Sequence, residues 1–213
     1  LTYDTENGQV TITAIQIAQT DLLAAAGITP AATMGMSMGE IAAAYGAGGL
    51  SAEECILVAT ARARLMGEGE AMIAGTEQEG AMAVVELSRE ELAEFVEKHE
   101  QARGVEPAVY AGPGMTTVGG PGKAVDYVVA ALEAEEKFAR KLNVRGAGHT
   151  SALDPIMGDL AGEIAGLNAR PLHVPLFSSV DRGEVYQPGQ IVHDDEYFLR
   201  MTRQPVYFQD ATE

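Results

Sequence analysis

Pro30-Ala31-Ala32-Thr33-Met34-Gly35-Met36-Ser37-Met38-Gly39-Glu40-Ile41-Ala42-Ala43-Ala44-Tyr45 holds the three parts of one local design. Residues 30–34 are a short apolar run, long enough for one buried strand. Residues 40–45 are strong helix formers. Between them, Gly35 to Gly39 has the form G-x-S-x-G, a nucleophile elbow with a strand before it and a helix after it. Glycines let the backbone turn sharply, and the turn lifts the Ser37 hydroxyl into the open at a helix N-terminus. There the Met38 backbone N–H can donate to a developing oxyanion. A bare motif of this kind also occurs as a turn whose serine merely caps the helix. The surrounding sequence therefore has to decide.

Upstream, residues 9–26 carry Ile12, Ile15, Leu22 and Leu23 at helical spacing, and Gly27 stands where a C-cap would. Downstream, Gly46, Gly48 and Gly49 end the elbow helix. Ser51 with Glu54 forms a capping box that opens a helix from about 52 to 66. Residues 81–143 read as a smaller unit. A strand at 81–87 leads to a second capping box, Ser88 with Glu91, and a helix to about His99. A hairpin turns at Gly112-Pro113-Gly114, a helix covers 125–136 and a strand covers 138–144. The order βαββαβ is that of a ferredoxin-like subdomain. Beyond it the larger unit resumes, with a helix at 154–167, a strand at 174–180 and a turn at 181–184.

Bulk composition bounds the function. Of 213 residues, 46% are hydrophobic and 21% charged, enough to bury a core. Acids outnumber Lys and Arg by 31 to 14, a formal net charge of −17. Such a field repels phosphate backbones and anionic lipid, so nucleic acid and membrane surfaces are poor partners. An anionic substrate would need a local positive patch. Cys55 is the single cysteine, which fits a cytoplasmic setting. No signal peptide, bilayer-spanning run or metal-ligand spacing is read. The chain reads as a piece of something longer.

Further residues complete an ordered set. Glu40 follows the second glycine, and Gly48-Gly49-Leu50-Ser51 follows the helix. Arg62 lies 25 residues after Ser37, within Arg62-Ala63-Arg64-Leu65-Met66. His149 lies 112 residues after Ser37, within Gly146-Ala147-Gly148-His149-Thr150-Ser151. This set resembles the malonyl-CoA:carrier-protein acyltransferase family, including the extender-loading domains of polyketide synthases. The resemblance implies an α/β-hydrolase-like core (1–78 and 145–213, short of the family's length at both ends) with an inserted ferredoxin-like subdomain (79–144). It implies Ser37 as nucleophile and His149 as its base, without a carboxylate third member. Arg62 would bind the extender's free carboxylate, since a guanidinium pairs with it bidentately. A CoA thioester is the implied donor and phosphopantetheine on an acyl carrier protein the acceptor, with neighbouring synthase domains as partners and no permanent cofactor. Leu65 to Met72, Val118 to Pro121, Glu135 to Lys141 and His149 to Pro155 resemble more closely the acyltransferase domains of mycolic-acid condensing polyketide synthases of mycobacteria and corynebacteria. Those load a long-chain 2-carboxyacyl extender.

The pattern departs from the family at three places. Met36 stands where His or Gln usually precedes the serine, and Met201 aligns with an Asn that helps orient the histidine. Gly146 stands three before the histidine, where malonyl and methylmalonyl loaders usually have an aromatic residue or His, and Gly146-Ala147-Gly148 is nearly devoid of side chain, so room for a large acyl chain is expected there. The family's N-terminal strand, with a second oxyanion donor, is expected to precede Leu1, and a C-terminal strand is also missing. Arg64 is expected to be solvated, His99 exposed, and Cys55 buried. Two rivals remain open. A serine hydrolase or thioesterase would use the same elbow but needs an acid between Ser and His, with Asp126 and Glu136 available. A docking domain that has lost its chemistry would explain Met36 and Met201.

Overall fold

The structure is a computed structural model and describes residues 5–213. Helix α1 (Thr5–Ala25) ends in a Schellman motif at Gly27, which has φ of 77°. The Ile28 N–H donates to the Leu23 carbonyl and the Gly27 N–H to the Ala24 carbonyl, each at 2.9 Å. Strand β1 (Thr33–Met34) feeds the elbow, and α2 (Gly39–Gly46) leaves it. Helix α3 (Ala52–Ile73) opens on the Ser51–Glu54 capping box, with both reciprocal hydrogen bonds made.

The segment from β2 (Gly80–Val85) through α4 (Arg89–Lys98), β3 (Glu106–Gly112), β4 (Met115–Pro121), α5 (Gly122–Ala134) and β5 (Ala139–Lys141) forms a four-stranded antiparallel sheet. Its order is β3-β4-β2-β5, with the first and third strands central. Alternation in β2 buries Ala81, Ala83 and Val85 under the helices and leaves Met82 and Val84 on the opposite face. A second sheet has the order β1-β6-β7, with β6 (Leu176–Phe177) parallel to β1 and β7 (Val185–Tyr186) antiparallel to β6. Helices α6 (Asp154–Glu163), α7 (Asp195–Arg203) and α8 (Phe208–Thr212) complete this mixed α/β architecture of two sheets with helices.

Two apolar clusters correspond to the two sheets. One gathers Ile41, Leu50, Val58, Leu65, Leu160, Leu176 and Phe198; the other gathers Val85, Leu92, Phe95, Val118, Val128 and Leu132. The units are joined by close backbone approach. A Cβ on Gly80 would lie 3.0 Å from Ala147 Cβ, and one on Gly119 would lie 2.9 Å from Thr150 Cγ2. Val206 also pairs with β3, exchanging hydrogen bonds with Ala108 and Tyr110 at 2.9 Å each.

Several elements differ from the sequence reading. α3 runs to Ile73 rather than 66. Its extra turns hold because Arg64 pairs with Glu68 one turn on, and Gly69 lets the helix pack closely on Ile156. The strand expected at 174–180 pairs only at Leu176–Phe177, because the Ser178 hydroxyl then accepts from the Val180 and Asp181 N–H groups and turns the chain. Helix α7 is an element the sequence reading lacks, although the Asp194 side chain caps it by accepting from the Tyr197 N–H. His99 is half-buried rather than exposed, its ring stacked on Phe95 at 4.1 Å. Cys55 is buried, and that burial pushes its thiol up to about 12.

The elbow glycines are not equivalent. A Cβ on Gly35 would lie 2.2 Å from the Glu40 backbone nitrogen, whereas one on Gly39 meets nothing within 4 Å. Gly35→Ala is expected to lower stability by at least about 2 kcal/mol. Gly39→Ala should stay within about 0.5 kcal/mol of the parent. Urea unfolding of the two variants side by side checks the contrast.

Candidate active site

The elbow is built by β1 docking on β6, with the Thr33 N–H also donating to the Pro175 carbonyl at 2.8 Å. The chain then folds back on itself. Gly39 and Glu40 donate to the Met36 and Ser37 carbonyls at 3.0 Å each, and Ser37 takes a φ of 55°. A non-glycine residue in the left-handed region carries strain of about 1–3 kcal/mol, held here by the surrounding structure. The Met38 N–H, at the N-cap of α2, has no acceptor among the described residues. A helix N-terminus with a free N–H favours negative charge.

Ser37 Oγ lies 2.6 Å from His149 Nε2. His149 Nδ1 lies 3.0 Å from the main-chain carbonyl of Gln204. A carbonyl only accepts, so the proton sits on Nδ1 and Nε2 offers its lone pair to the serine hydroxyl. His149 itself has a φ of 60°, in a loop pinned by the Thr150 hydroxyl donating to the Ala147 carbonyl at 2.6 Å. Its ring is buried, and that burial, aided by the nearby Arg62 cation, pushes its pKa down to about 3. The Gln204 and Met201 carbonyls oppose the shift. The ring is therefore a neutral base across the physiological range.

Arg62 projects from α3 into the same place and is 2% exposed. One terminal nitrogen donates to the Gln9 side-chain carbonyl, and the other lies 3.5 Å from Ser37 Oγ. Among the described residues its Nε has no partner and no carboxylate pairs with it. Burial pulls its pKa down to about 10, so it stays charged at neutral pH. A buried cation without a counter-ion is costly, and an anion arriving beside it is correspondingly favoured. Arg64 faces away and pairs with Glu68 and Glu163.

The remaining predicted positions fall differently. Met201 is buried in the apolar cluster, and its side chain does not hold His149. The Gln204 carbonyl does so because α7 ends at Arg203 and the extended backbone of Gln204 frees its carbonyl from the helix. Met36 is half exposed and lines a cavity of about 750 Å³ between α1 and the elbow, with Ile12, Leu23 and Met34. Neither Arg62 nor His149 lines that cavity. The room expected at Gly146 is taken: its φ is 74°, and a Cβ there would lie 2.9 Å from Glu70 Cγ. Gly148 is open, with only Met66 Cε and Met82 Sδ at 3.9 Å from a Cβ built there. Neither acid of the hydrolase reading reaches the histidine. Asp126 pairs with Lys141, and Glu136 is exposed beyond α5.

Three contributors carry little or no sequence signal of their role: Gln9, Gln204 and Glu40. Gln204 acts through its backbone, which leaves no residue-type signal. Gln9 sits in a helix without a motif. Glu40 is marked in the sequence only by its place after the elbow, and an acid in a helix's first turn is ordinarily a solvated one.

The acyl transferase domain model matches residues 1–213. The chain belongs to the acyl transferase domain family. That family's class of reaction is acyl transfer of the malonyl-CoA:carrier-protein kind. Over 203 residues the chain is 35% identical to a phenolphthiocerol/phthiocerol polyketide synthase of Mycobacterium tuberculosis, covering 95% of this chain and 10% of the relative. The chain thus spans about a tenth of the length of that synthase. Among solved structures it resembles the acyltransferase domain of a phenolphthiocerol/phthiocerol synthase from Mycobacterium bovis (BCG), with a TM-score of 0.83 and 30% identity over 97% of this chain and 74% of that one. It also resembles the malonyl CoA-acyl carrier protein transacylase of Coxiella burnetii, with a TM-score of 0.82 and 25% identity over 96% of this chain and 63% of that one. No helix among the described residues is long and apolar enough to cross a membrane, and no His, Cys or acidic cluster there could hold a metal ion.

The depressed His149 pKa gives a direct expectation. Labelling of Ser37 by a neutral fluorophosphonate should change less than about twofold between about pH 7.5 and pH 5, the constancy expected of a base titrating far below that range. An unperturbed histidine, with its pKa of about 6.5, would lose about thirtyfold over that range. Arg62→Ala removes the repelling cation and should move the acid midpoint upward, read from the same labelling rates.

Proposed function

We propose that this domain moves a carboxylated acyl group from a CoA thioester to Ser37, and from there to the phosphopantetheine thiol of an acyl carrier protein within a polyketide synthase. The observation that carries the reading is Arg62, a buried guanidinium beside the nucleophile with no carboxylate partner among the described residues. The extender's free carboxylate supplies the missing charge and fixes the thioester carbonyl over Ser37.

The proposed steps use the Ser37–His149–Gln204 contacts. Ser37 gives its proton to His149 Nε2 as Oγ attacks the thioester carbonyl. The resulting oxyanion is stabilised by the Met38 N–H at the start of α2. Collapse expels the CoA thiolate, which takes the proton back from His149 and leaves an acyl-serine. The carrier thiol then gives its proton to His149 and attacks the ester; collapse breaks the bond to Ser37 Oγ, which takes that proton back, leaving the acyl thioester on the carrier and the free serine. The Gln204 carbonyl holds the ring and its tautomer throughout, in place of a carboxylate. The 2.6 Å serine–histidine contact favours this over a docking domain without chemistry, and the missing acid disfavours a hydrolase.

We further propose a long-chain 2-carboxyacyl extender and kinship to mycolic-acid condensing synthases. The support is the sequence resemblance together with the space at Gly148, whose neighbours Met66 and Met82 are flexible and polarizable. The division into a core (1–78 and 145–213) and a subdomain (79–144) is part of the same proposal, supported by the two apolar clusters; residues 1–4 of that core lie outside the described residues.

Intact-protein mass spectrometry after incubation with malonyl-CoA, methylmalonyl-CoA and a long-chain 2-carboxyacyl-CoA tests the reading. A Ser37-dependent adduct is expected, most abundant in the long-chain reaction, and lost in Ser37→Ala. Arg62→Ala should lower kcat/KM for carboxylated donors by about 10–100-fold, the loss of a charge-assisted pair of about 1.5–3 kcal/mol, and spare acetyl-CoA. Release of free acid faster than transfer to carrier would instead favour the hydrolase.

A further inference from the structure

Glu40 is fully buried in the first turn of α2. One of its carboxylate oxygens accepts from the Ser179 N–H at 2.9 Å and the Ser179 hydroxyl at 2.7 Å. The other accepts from the Tyr197 hydroxyl at 3.1 Å. Tyr197 Oη also lies 3.0 Å from Ser178 Oγ, and the Tyr197 side chain is itself fully buried. Both residues sit on rigid elements. Glu40 follows the elbow that carries Ser37, and Tyr197 lies in α7.

These contacts belong to a closed ring. Ser37 meets His149 through Nε2, and His149 meets Gln204 through Nδ1. Gln204 ends α7, and α7 presents Tyr197 to Glu40. Glu40 returns to Ser37 through the elbow, where its N–H donates to the Ser37 carbonyl at 3.0 Å. Each side of the ring is either a hydrogen bond or a short piece of ordered backbone. The Ser37–His149 separation therefore depends on where α7 stands relative to α2, and Glu40 is the polar contact that ties the two. Apolar packing between those helices is non-directional and tolerates small slides. A carboxylate with three aligned donors does not.

We propose that Glu40 is a positioning residue: through Tyr197 it locks the helix that holds the base to the helix that carries the nucleophile. Glu40 touches neither substrate nor the reacting atoms. The role rests on the serine–histidine reading above and adds to it a determinant outside the reacting groups. Misplacement by about 1 Å in such a site costs about 10²-fold in rate, so the ring is a sensitive device.

Tyr197→Phe removes one hydroxyl and keeps the ring's packing. In the whole chain, it is expected to slow Ser37 acylation about tenfold in kcat with donor KM unchanged, a smaller loss than a full 1 Å misplacement would give. Fluorophosphonate labelling of Ser37 should slow in parallel. Glu40→Gln keeps an oxygen for Ser179 and turns an amide toward Tyr197, and should retain most of the rate; Glu40→Leu should not. Combining Glu40→Leu with Tyr197→Phe should cost little beyond Glu40→Leu alone, because both cut the same side of the ring. A Tyr197→Phe enzyme with parental acylation and labelling rates, whatever its melting temperature, would overturn the proposal and leave the network a purely structural one. If the parent forms no acyl adduct, the acyltransfer reading fails, while the labelling rates still decide the positioning role.

Discussion

The approach of Gly35 to the Glu40 backbone is the constraint on which the site is built. A single methyl group at Gly35 would collide with the chain that must pass there. Its absence lets the strand turn straight into the helix, and three consequences follow within five residues. Ser37 is held in the left-handed region with its hydroxyl free to meet His149. The Met38 N–H is left without an acceptor, among the described residues, at a helix start. Glu40 is driven inward, where it must find donors because a buried carboxylate without them is untenable. The exposed serine, the free N–H and the buried glutamate thus come from one turn.

Electrostatics give this site its direction. His149 and Arg62 are both buried, and both are destabilised in their charged forms by that burial. The two respond differently. An imidazole can shed its proton, and does so far above its depressed pKa. A guanidinium cannot, so Arg62 stays a cation whose one strong neighbour among the described residues is a neutral amide, Gln9. Among the described residues the free site is therefore short of one negative charge. Under the proposed function, a carboxylate beside Ser37 would satisfy the arginine and relieve the Coulombic pressure on the histidine, so that substrate binding and activation of the serine would be coupled. The net charge of −17 makes this local positive centre the more distinct.

How much of this is legible in the sequence depends on whether a feature is local. The elbow, both capping boxes and the Gly27 C-cap are legible, because each is decided by residues within a few positions of one another. The βαββαβ order is legible for the same reason, and the sheet order follows from it. Legibility ends where a distant partner decides. α3 overruns its expected end where Gly69 packs on Ile156, and Gly146 is a place where Glu70 packs rather than a vacancy. In the second sheet β1 and β6 are legible as apolar runs, although each pairs over two residues only, and β7 is not. Met201 is the residue whose side chain the family pattern points toward the histidine, yet main-chain carbonyls, that of Gln204 foremost, face the ring instead of that side chain.

From the sequence by itself came the chemical inventory: a serine on a strand–helix turn, a histidine far downstream, an arginine on the next helix, and an α/β layout to carry them. Those depend on residue type, short-range spacing and hydrophobic period, which a linear string contains. Only the tertiary structure decided that His149 is oriented by a backbone oxygen, that Arg62 has no carboxylate beside it among the described residues, and that Glu40 joins α2 to α7. The physical reason is common to all three. Main-chain carbonyls are the same at every position, and burial and pairing are properties of what the fold places alongside. Neighbours far away along the chain set a residue's charge state and its role, and those neighbours exist only once the chain has closed on itself.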